Sequence, residues 1–314
     1  LAADTSHLRL LINPQAGSAG DTDELESLCR SMPSSGVCQT TSATHVADQA
    51  AQAAKEGITT LGVAGGDGTI SLAVSGLMRA RDAGVEIMPS LLIVPLGTGN
   101  DLSRALDLPL EPMEAVKLHE TGRLRSLDVI RWRLDGGHGI ESGYAVNVIA
   151  GGFSSKLQKS LTPKLKKRWG PLAYVRAAVE TATELVPHTL HLRLDDGEPQ
   201  EMTVLNVVVA SARYAGGGIS VAPKADPSDG QLDIVATTPG NLLELADVSA
   251  RFMSGNVLKS DLTQHLIGKK IEVWAEPEMP FNVDGDWTGA GRLTAEIVPD
   301  ALKVWVPSGD AADD

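Results

Sequence analysis

Apolar positions in the first third of the chain come in short runs that alternate with stretches of helical spacing. Leu8 to Ile12 reads as a strand that runs into the turn Asn13-Pro14-Gln15-Ala16-Gly17. A helix is expected over Thr22 to Arg30, a second strand over Val37 to Thr41, and an Ala-rich helix over Ala47 to Lys55 that stops at Gly57. The third strand, Ile58 to Ala64, opens into Gly65-Gly66-Asp67-Gly68-Thr69. Beyond that turn Ile70, Ala73, Val74, Leu77 and Met78 hold one face of a helix. A fourth strand, Leu91 to Val94, leads to Pro95-Leu96-Gly97-Thr98-Gly99-Asn100-Asp101 and a short helix. Strands alternating with helices predict a mostly parallel sheet covered on both faces.

After about residue 125 the pattern changes to strands joined by Gly, Pro or Asp turns. Expected strands are Ser126 to Leu134, Tyr144 to Ile149, Thr189 to Leu194, Met202 to Ala210, Leu232 to Ala236, Ile271 to Trp274, Phe281 to Val283 and Leu302 to Val306. This half reads as a β-sandwich or barrel, with helical insertions through Tyr174 to Leu185 and Asn241 to Met253. The expected division is a first domain over 1–128, with 298–314 packing back on it, and a second over 129–297.

The chain has 314 residues, of which 42% are hydrophobic and 21% charged, so disordered, collagenous and coiled-coil classes are excluded. No apolar run reaches the roughly 18 residues of a membrane span. Residues 1–7 have neither the basic nor the apolar region of a signal peptide. Two cysteines, Cys29 and Cys38, are too few for a metal cage or a disulfide framework, which fits a reducing, cytoplasmic compartment. The net charge of −13 argues against non-specific nucleic-acid binding. One island departs from it: Lys156, Lys159, Lys164, Lys166, Lys167, Arg168 and Arg176 stand between Phe153 and Arg176 with no acidic residue among them.

Glycines between a buried strand and a helix let backbone approach a phosphate, and the helix N-terminus favours its charge. Gly65 to Thr69 has that form, although a turn shaped only by sterics explains a lone Gly pair equally well. Asp67 would repel a bare phosphate, so it favours a metal-bound nucleotide. Gly97 to Asp101 occupies the matching place after the next strand, and both turns are expected at the sheet edge where open α/β folds bind ligands. A dinucleotide fingerprint fails because Ser71 stands where a third Gly is needed, and no GxxxxGK[ST] loop occurs.

The ordered motifs NPQAG at 13–17, GGDGT at 65–69, PLGTGNDLSRAL at 95–106, the GGG and Asp-Gly pair in YAGGGISVAPKADPSDGQLDIV, and NVDGD at 282–286 resemble the diacylglycerol kinase catalytic family. That family includes bacterial lipid kinases, sphingosine kinases and ceramide kinases. The resemblance covers nearly the whole chain. It implies an ATP-dependent lipid kinase that is most simply a diacylglycerol kinase, with a Rossmann-like nucleotide-binding domain, a β-sandwich lipid-binding domain and an active site in the cleft between them. It puts ATP against Asn13, Pro14, Gln15, Ala16, Gly17, Thr41, Gly65, Gly66, Asp67, Gly68, Thr69, Ile70, Ser71 and Leu72, and against Gly97, Thr98, Gly99, Asn100 and Asp101.

Asp284 and Asp286 fall on the family's Asp-Gly-Glu segment, which supplies the proton acceptor. Asp284-Gly285-Asp286 also reads as a plain hairpin turn, and the sequence leaves open which Asp acts. Asp226, Asp229 and Gln231 match a Mg²⁺-holding segment, with a surface turn as the other reading of Asp226. Asp101 and Asp128 match acidic positions of the family, and for Asp128 a structural salt bridge is the simpler account.

Three departures stand out. Ser71 and Leu72 replace an Asn-Glu pair, Ser18 replaces a Lys carried by some bacterial members, and Asp286 is one methylene shorter than Glu. In the island, Leu157, Leu161, Leu165 and Trp169 recur every four residues among the cations, which suits peripheral docking on an anionic membrane through Lys156, Lys159, Lys164, Lys166, Lys167, Arg168 and Trp169. A solvated helix with snorkelling lysines is the plainer reading. Two other functions stay open: an NAD kinase-like phosphotransferase, and a non-catalytic nucleotide- or lipid-binding module. The seven histidines are scattered and receive no chemistry.

Overall fold

The computed structural model describes residues 8–16, 23–27, 30, 35–137, 139–152 and 186–308. Two compact units emerge: Leu1–Val129 with Pro299–Asp314, and Ile130–Val298. The chain crosses from the first to the second inside strand β5 (Arg123–Gly136) and returns inside β17 (Asp286–Val306).

The first unit is built on β1 (Leu8–Ile12), β2 (Ser35–Gln39), β3 (Thr60–Gly65) and β4 (Ser90–Pro95), parallel and ordered β2-β1-β3-β4. The end of β17 adds a further parallel neighbour through Val304 against Leu91. Every residue of β3 and all but the first of β4 are buried, as continuous apolar runs in a doubly covered parallel sheet should be. Helices α1 (Ala43–Lys55) and α2 (Asp67–Asp82) connect these strands and pack on each other. Their contact is close enough that a Cβ on Gly76 would lie 2.1 Å from the Ala47 carbonyl oxygen. Because β2 and β3 flank β1 on opposite sides, the winding direction reverses between β1 and β3. Open α/β sheets bind ligands at such a reversal, beyond the carboxyl ends of the strands.

Three short helices follow, α3 (Asp101–Ala105), α4 (Pro112–Val116) and α5 (Leu118–Thr121). The returning segment is fastened by the Trp305 indole N–H, which donates to Ser90 Oγ at 3.0 Å, and by the Asp300 N–H, which donates to Asp128 Oδ1 at 2.7 Å. The buried Asp128 thus accepts a backbone N–H as a structural tie.

The second unit is a β-sandwich-like domain. One antiparallel run is β14 (Thr263–Gly268), β13 (Leu232–Thr237), β10 (Asn206–Ala210), β7 (Val148–Gly152), β16 (Pro280–Val283) and the start of β17. The other places β6 (Gly139–Ala145), β5, β17, β15 (Lys270–Glu276), β8 (His188–Leu194) and β9 (Gln200–Val204) side by side. A separate two-residue ribbon, β11 (Tyr214–Ala215) against β12 (Ile219–Ser220), carries the Gly216 to Gly218 turn. Alternation sorts the side chains: Ile149, Val207, Val209, Leu232 and Ile234 join the main core with Trp132, Leu190, Ile271, Phe281 and Leu293. Val148, Ala150, Val208, Ala210 and Val235 face the other way, onto Ala222 and Ala225.

The structure departs from the sequence expectation in places where the chain changes layer. Met202 to Ala210 is two strands, because the Leu205 N–H turns to Thr237 O at 2.8 Å while β9 pairs with β8 and β10 with β7 and β13. Tyr144 to Ile149 is likewise broken at Val146 and Asn147. Leu302 to Val306 is the end of a 21-residue strand, and β14, with its mixed polar sequence, gives no hydrophobic signal. The helix expected at Asn241 to Met253 is α6 (Leu242–Ser254), capped by Asn241 and Glu244 in a reciprocal capping box. Among the described residues no helix is long and apolar enough to cross a membrane.

Candidate active site

In the first unit, β1 to β4 all end at one edge of the sheet, and the loops marked in the sequence follow directly from them. Asn13, just past β1, donates its N–H to Ala64 O at 2.9 Å and its Nδ2 to Thr69 Oγ1 at 2.9 Å, so one side chain spans the reversal between β1 and β3. Its Oδ1 accepts the Gln15 N–H at 3.0 Å and its carbonyl the Ala16 N–H at 3.1 Å, which sets the turn that leaves Pro14 and Gln15 exposed. Thr41, exposed after β2, donates its N–H to His45 Nδ1 at 3.1 Å.

Gly66 caps α2 without a side-chain bond, and the intrahelical ladder begins with Thr69 N–H to Gly66 O at 2.9 Å. The first-turn N–H groups of Asp67 and Gly68 therefore precede that ladder, as at any helix start. The glycines have distinct physical roles. A Cβ at Gly65 would fall 2.5 Å from Thr69 Cβ, and one at Gly97 would fall 2.7 Å from Gly66 Cα. The two loops are thus packed backbone against backbone. Gly68, by contrast, is exposed, and a methyl added there would meet nothing within 4 Å, so space beside the helix start stays open.

The second loop is locked from within. Asn100, buried and left-handed at φ 53°, accepts the Gly97 N–H at 3.0 Å and donates Nδ2 to Gly97 O at 2.9 Å. Arg104 Nε donates to Gly99 O at 3.0 Å, and Thr98 is left exposed at the tip. Asp67 Oδ1 accepts the Asp101 N–H at 2.6 Å, tying the two loops together. Burial pushes the Asp67 carboxyl above the ordinary carboxylate range, and the Asp101 charge adds to the rise against three backbone N–H groups that oppose it. Ile70 is wholly buried and Leu72 half-buried, so the Ile70 side chain belongs to the core.

In the second unit, Val283 to Asp286 is a two-residue hairpin with Asp284 at φ 46° and Gly285 at φ 97°, both in the left-handed region that a type I′ turn demands. The Asp284 carboxylate accepts three consecutive backbone N–H groups: Val146 at 2.8 Å, Asn147 at 3.0 Å and Val148 at 3.1 Å. Its lone pairs serve the chain break between β6 and β7. Asp286 is exposed and makes no side-chain hydrogen bond among the described residues. The turn at 226–231 holds its own carboxylates in place: Asp226 Oδ1 accepts Ser228 N–H and Oγ, and Asp229 Oδ1 accepts the Gln231 N–H at 2.9 Å. This oxygen-only donor set has the chemistry a hard divalent cation takes, although among the described residues no three His, Cys, Asp or Glu side chains form a cage.

Two family patterns cover the chain: the diacylglycerol kinase catalytic domain matches residues 7–132, and the YegS C-terminal NAD kinase beta sandwich-like domain matches 147–306. A Stenotrophomonas maltophilia protein named "Probable lipid kinase YegS-like" is 31% identical over 82% of this chain and 82% of its own length. The chain belongs to the diacylglycerol kinase catalytic family. It is also 28% identical to the diacylglycerol kinase of Bacillus subtilis over 92% of each chain. A crystal structure of a diacylglycerol kinase from Bacillus anthracis superposes with a TM-score of 0.72 at 20% identity, covering 98% of both chains, and so shares the fold.

For this lipid kinase, membership implies ATP as phosphoryl donor. Of the residues singled out in the sequence, the fold gathers Asn13, Gly66 to Thr69 and Gly97 to Asp101 at one sheet edge, with Thr41 following the neighbouring strand. Asp226, Asp229, Gln231, Asp284 and Asp286 lie in the other unit. Gly17 and the docking residues Lys156, Lys159, Lys164, Lys166, Lys167, Arg168 and Trp169 lie outside the described residues. Sequence reasoning misses His45, whose only signal is its four-residue distance from Thr41, and Asn147, whose backbone N–H is one of the three that hold Asp284.

Proposed function

We propose that the kinase transfers the γ-phosphoryl group of ATP to a lipid hydroxyl, most simply converting diacylglycerol to phosphatidic acid, with Asp286 as the proton acceptor and Asp284 as its positioning residue. The observation that carries the assignment is the contrast on one hairpin: the Asp284 oxygens are engaged by three N–H donors, while Asp286 is solvent-exposed. Those bonds fix the orientation of the Asp284 carboxylate and take up three of its roughly four lone-pair sites. In the reaction the lipid oxygen forms a bond to the γ-phosphorus, its proton passes to the Asp286 carboxylate, and the bond to the β,γ-bridging oxygen breaks to release ADP.

The glycine-turn N–H groups, Asn13, Thr69 and Thr98 serve the phosphates in this reading, because a helix start and an uncapped loop offer donors to an anion. Asp226, Asp229 and the carbonyl groups around Gln231 would hold Mg²⁺, which when bound neutralises phosphate charge. Peripheral docking at the cytoplasmic membrane face falls to the basic island.

The test is γ-phosphate transfer from ATP in mixed micelles to a panel of diacylglycerols, sphingoid bases, ceramide and phosphatidylglycerol, with NAD as a separate acceptor. A phosphorylated lipid is expected. Normal ATP binding with no lipid product, or phosphorylation of NAD alone, overturns the reading.

A further inference from the structure

The side chain of His45 has no part in the roles assigned so far, yet it is aimed at one of them. Its Nδ1 lies 3.1 Å from the Thr41 backbone nitrogen and 3.1 Å from Thr41 Oγ1. A backbone N–H only donates, so Nδ1 must carry a lone pair and the ring proton sits on Nε2. The imidazole is therefore an acceptor aimed at Thr41. The helix cap beside it is a separate device: Ser42 Oγ accepts the His45 backbone N–H at 3.2 Å, and that bond needs no particular side chain at position 45.

We propose that His45 is a positioning residue for nucleotide binding, holding the backbone and hydroxyl of Thr41 in the orientation that meets ATP. The inference rests on the reading of Thr41 as a nucleotide contact. Thr41 is exposed and stands two residues past the end of β2, where the chain leaves the sheet. Without a fixed acceptor its side chain and preceding peptide must be ordered by the ligand itself. Ordering one such side chain on binding weakens affinity by roughly three- to tenfold.

His45→Leu keeps bulk but removes the acceptor. His45→Asn restores it, because Asn Oδ1 stands the same number of bonds from Cβ as His Nδ1. Both full-length variants, with Thr41→Val alongside, would be titrated with ATP and Mg²⁺ by calorimetry, melted, and assayed for phosphoryl transfer. The expected result is a roughly three- to tenfold weaker Kd for ATP in His45→Leu, with unchanged kcat, lipid KM and Tm, and recovery to within about twofold in His45→Asn. Equal loss in the Leu and Asn variants, or a loss accompanied by a lower Tm, overturns the proposal. If Thr41→Val weakens ATP and His45→Leu does not, the proposal also falls. If Thr41→Val leaves ATP binding unchanged, it is the assignment of Thr41 to the nucleotide that fails, and the proposal goes with it.

Discussion

Replacing Asp284 and Asp286 by Asn in turn separates a structural carboxylate from a chemical one. At position 284 the left-handed backbone, φ 46°, suits Asn, so the turn itself is not strained. The carboxamide oxygen can still take the Asn147 and Val148 N–H groups, which share Oδ1 at 3.0 and 3.1 Å. Its NH₂ then faces the Val146 N–H, which donates to Oδ2 at 2.8 Å, so two donors meet and one is orphaned. An unsatisfied buried donor costs about 1–3 kcal/mol, and losing the charge on the other two bonds roughly 1 kcal/mol more, for a total of about 2–4 kcal/mol. In a unit of this size that lowers Tm by roughly 5–15 °C. Asp286→Asn, at an exposed position, should leave Tm within about 2 °C. Its kcat should fall by about 10²- to 10⁴-fold, the usual worth of a general base. Calorimetric melting and γ-phosphate transfer read both. The reasoning is refuted if Asp284→Asn melts like the parent but is inactive while Asp286→Asn keeps its kcat.

Gly97→Ala should cost about 1–3 kcal/mol through its clash with Gly66 Cα and weaken ATP, whereas Gly68→Ala, where nothing is crowded, should raise Tm slightly and yet weaken ATP. Calorimetry on both variants checks this, and unimpaired ATP binding by Gly68→Ala would mean that no phosphate approaches there. Asp67 has a folded pKa above its unfolded one, so the folded state holds its proton more tightly and stability falls as pH rises through that window. Asp67→Asn, which keeps an oxygen for the Asp101 N–H, should therefore gain stability over the parent at neutral pH and lose that advantage below the ordinary carboxylate pKa. Melting curves across pH would show it, and a pH-independent difference would contradict it. Charge reversal at Lys164, Lys166 and Lys167 should reduce sedimentation with anionic vesicles, and unchanged binding would remove the docking role.

The first unit was legible in the sequence because its elements announce themselves locally. Each buried strand ends in a Gly or Asn turn, and Ile70, Ala73, Val74 and Leu77 repeat with the helical period and are all buried. The second unit was legible as a class but not strand by strand. Leu205 and Asn147 sit inside apolar runs, and nothing local tells that the backbone leaves one layer there, because the partners that decide it, Thr237 and Asp284, are 32 and 137 residues away. The three short helices before β5 are each shorter than the window over which periodicity is readable. For the candidate site, the motifs marked loops but could not divide the labour within them. Asp284 and Asp286 look alike in a chain of letters; only the β6–β7 break, arriving from far away in sequence, makes one of them an acceptor of backbone N–H groups.

That division recurs at the glycine loops of the first unit and has a common physical cause. A polar side chain held inside a loop has to be satisfied by the loop, and in being satisfied it fixes the backbone around it. Asn100 closes on Gly97, Asn13 bridges to Thr69, and Asp67 takes the Asp101 N–H. Asp67 therefore need not be explained by a cation beside it: its carboxylate has a backbone partner, and its raised pKa is the cost of holding that charge in a largely desolvated place. Gly68 and Thr98 at the sheet edge of one unit and Asp286 on the hairpin of the other are not engaged in this way, and all three are exposed. The same logic weighs the shortened Asp286. An exposed carboxylate one methylene shorter than Glu loses about 1.5 Å of reach but none of its freedom to accept a proton. Asp286→Glu should thus stay active and act mainly on kcat, and an inactive Asp286→Glu with normal ATP binding would show that the hairpin, rather than the side chain's length, had been adapted to the shorter acid.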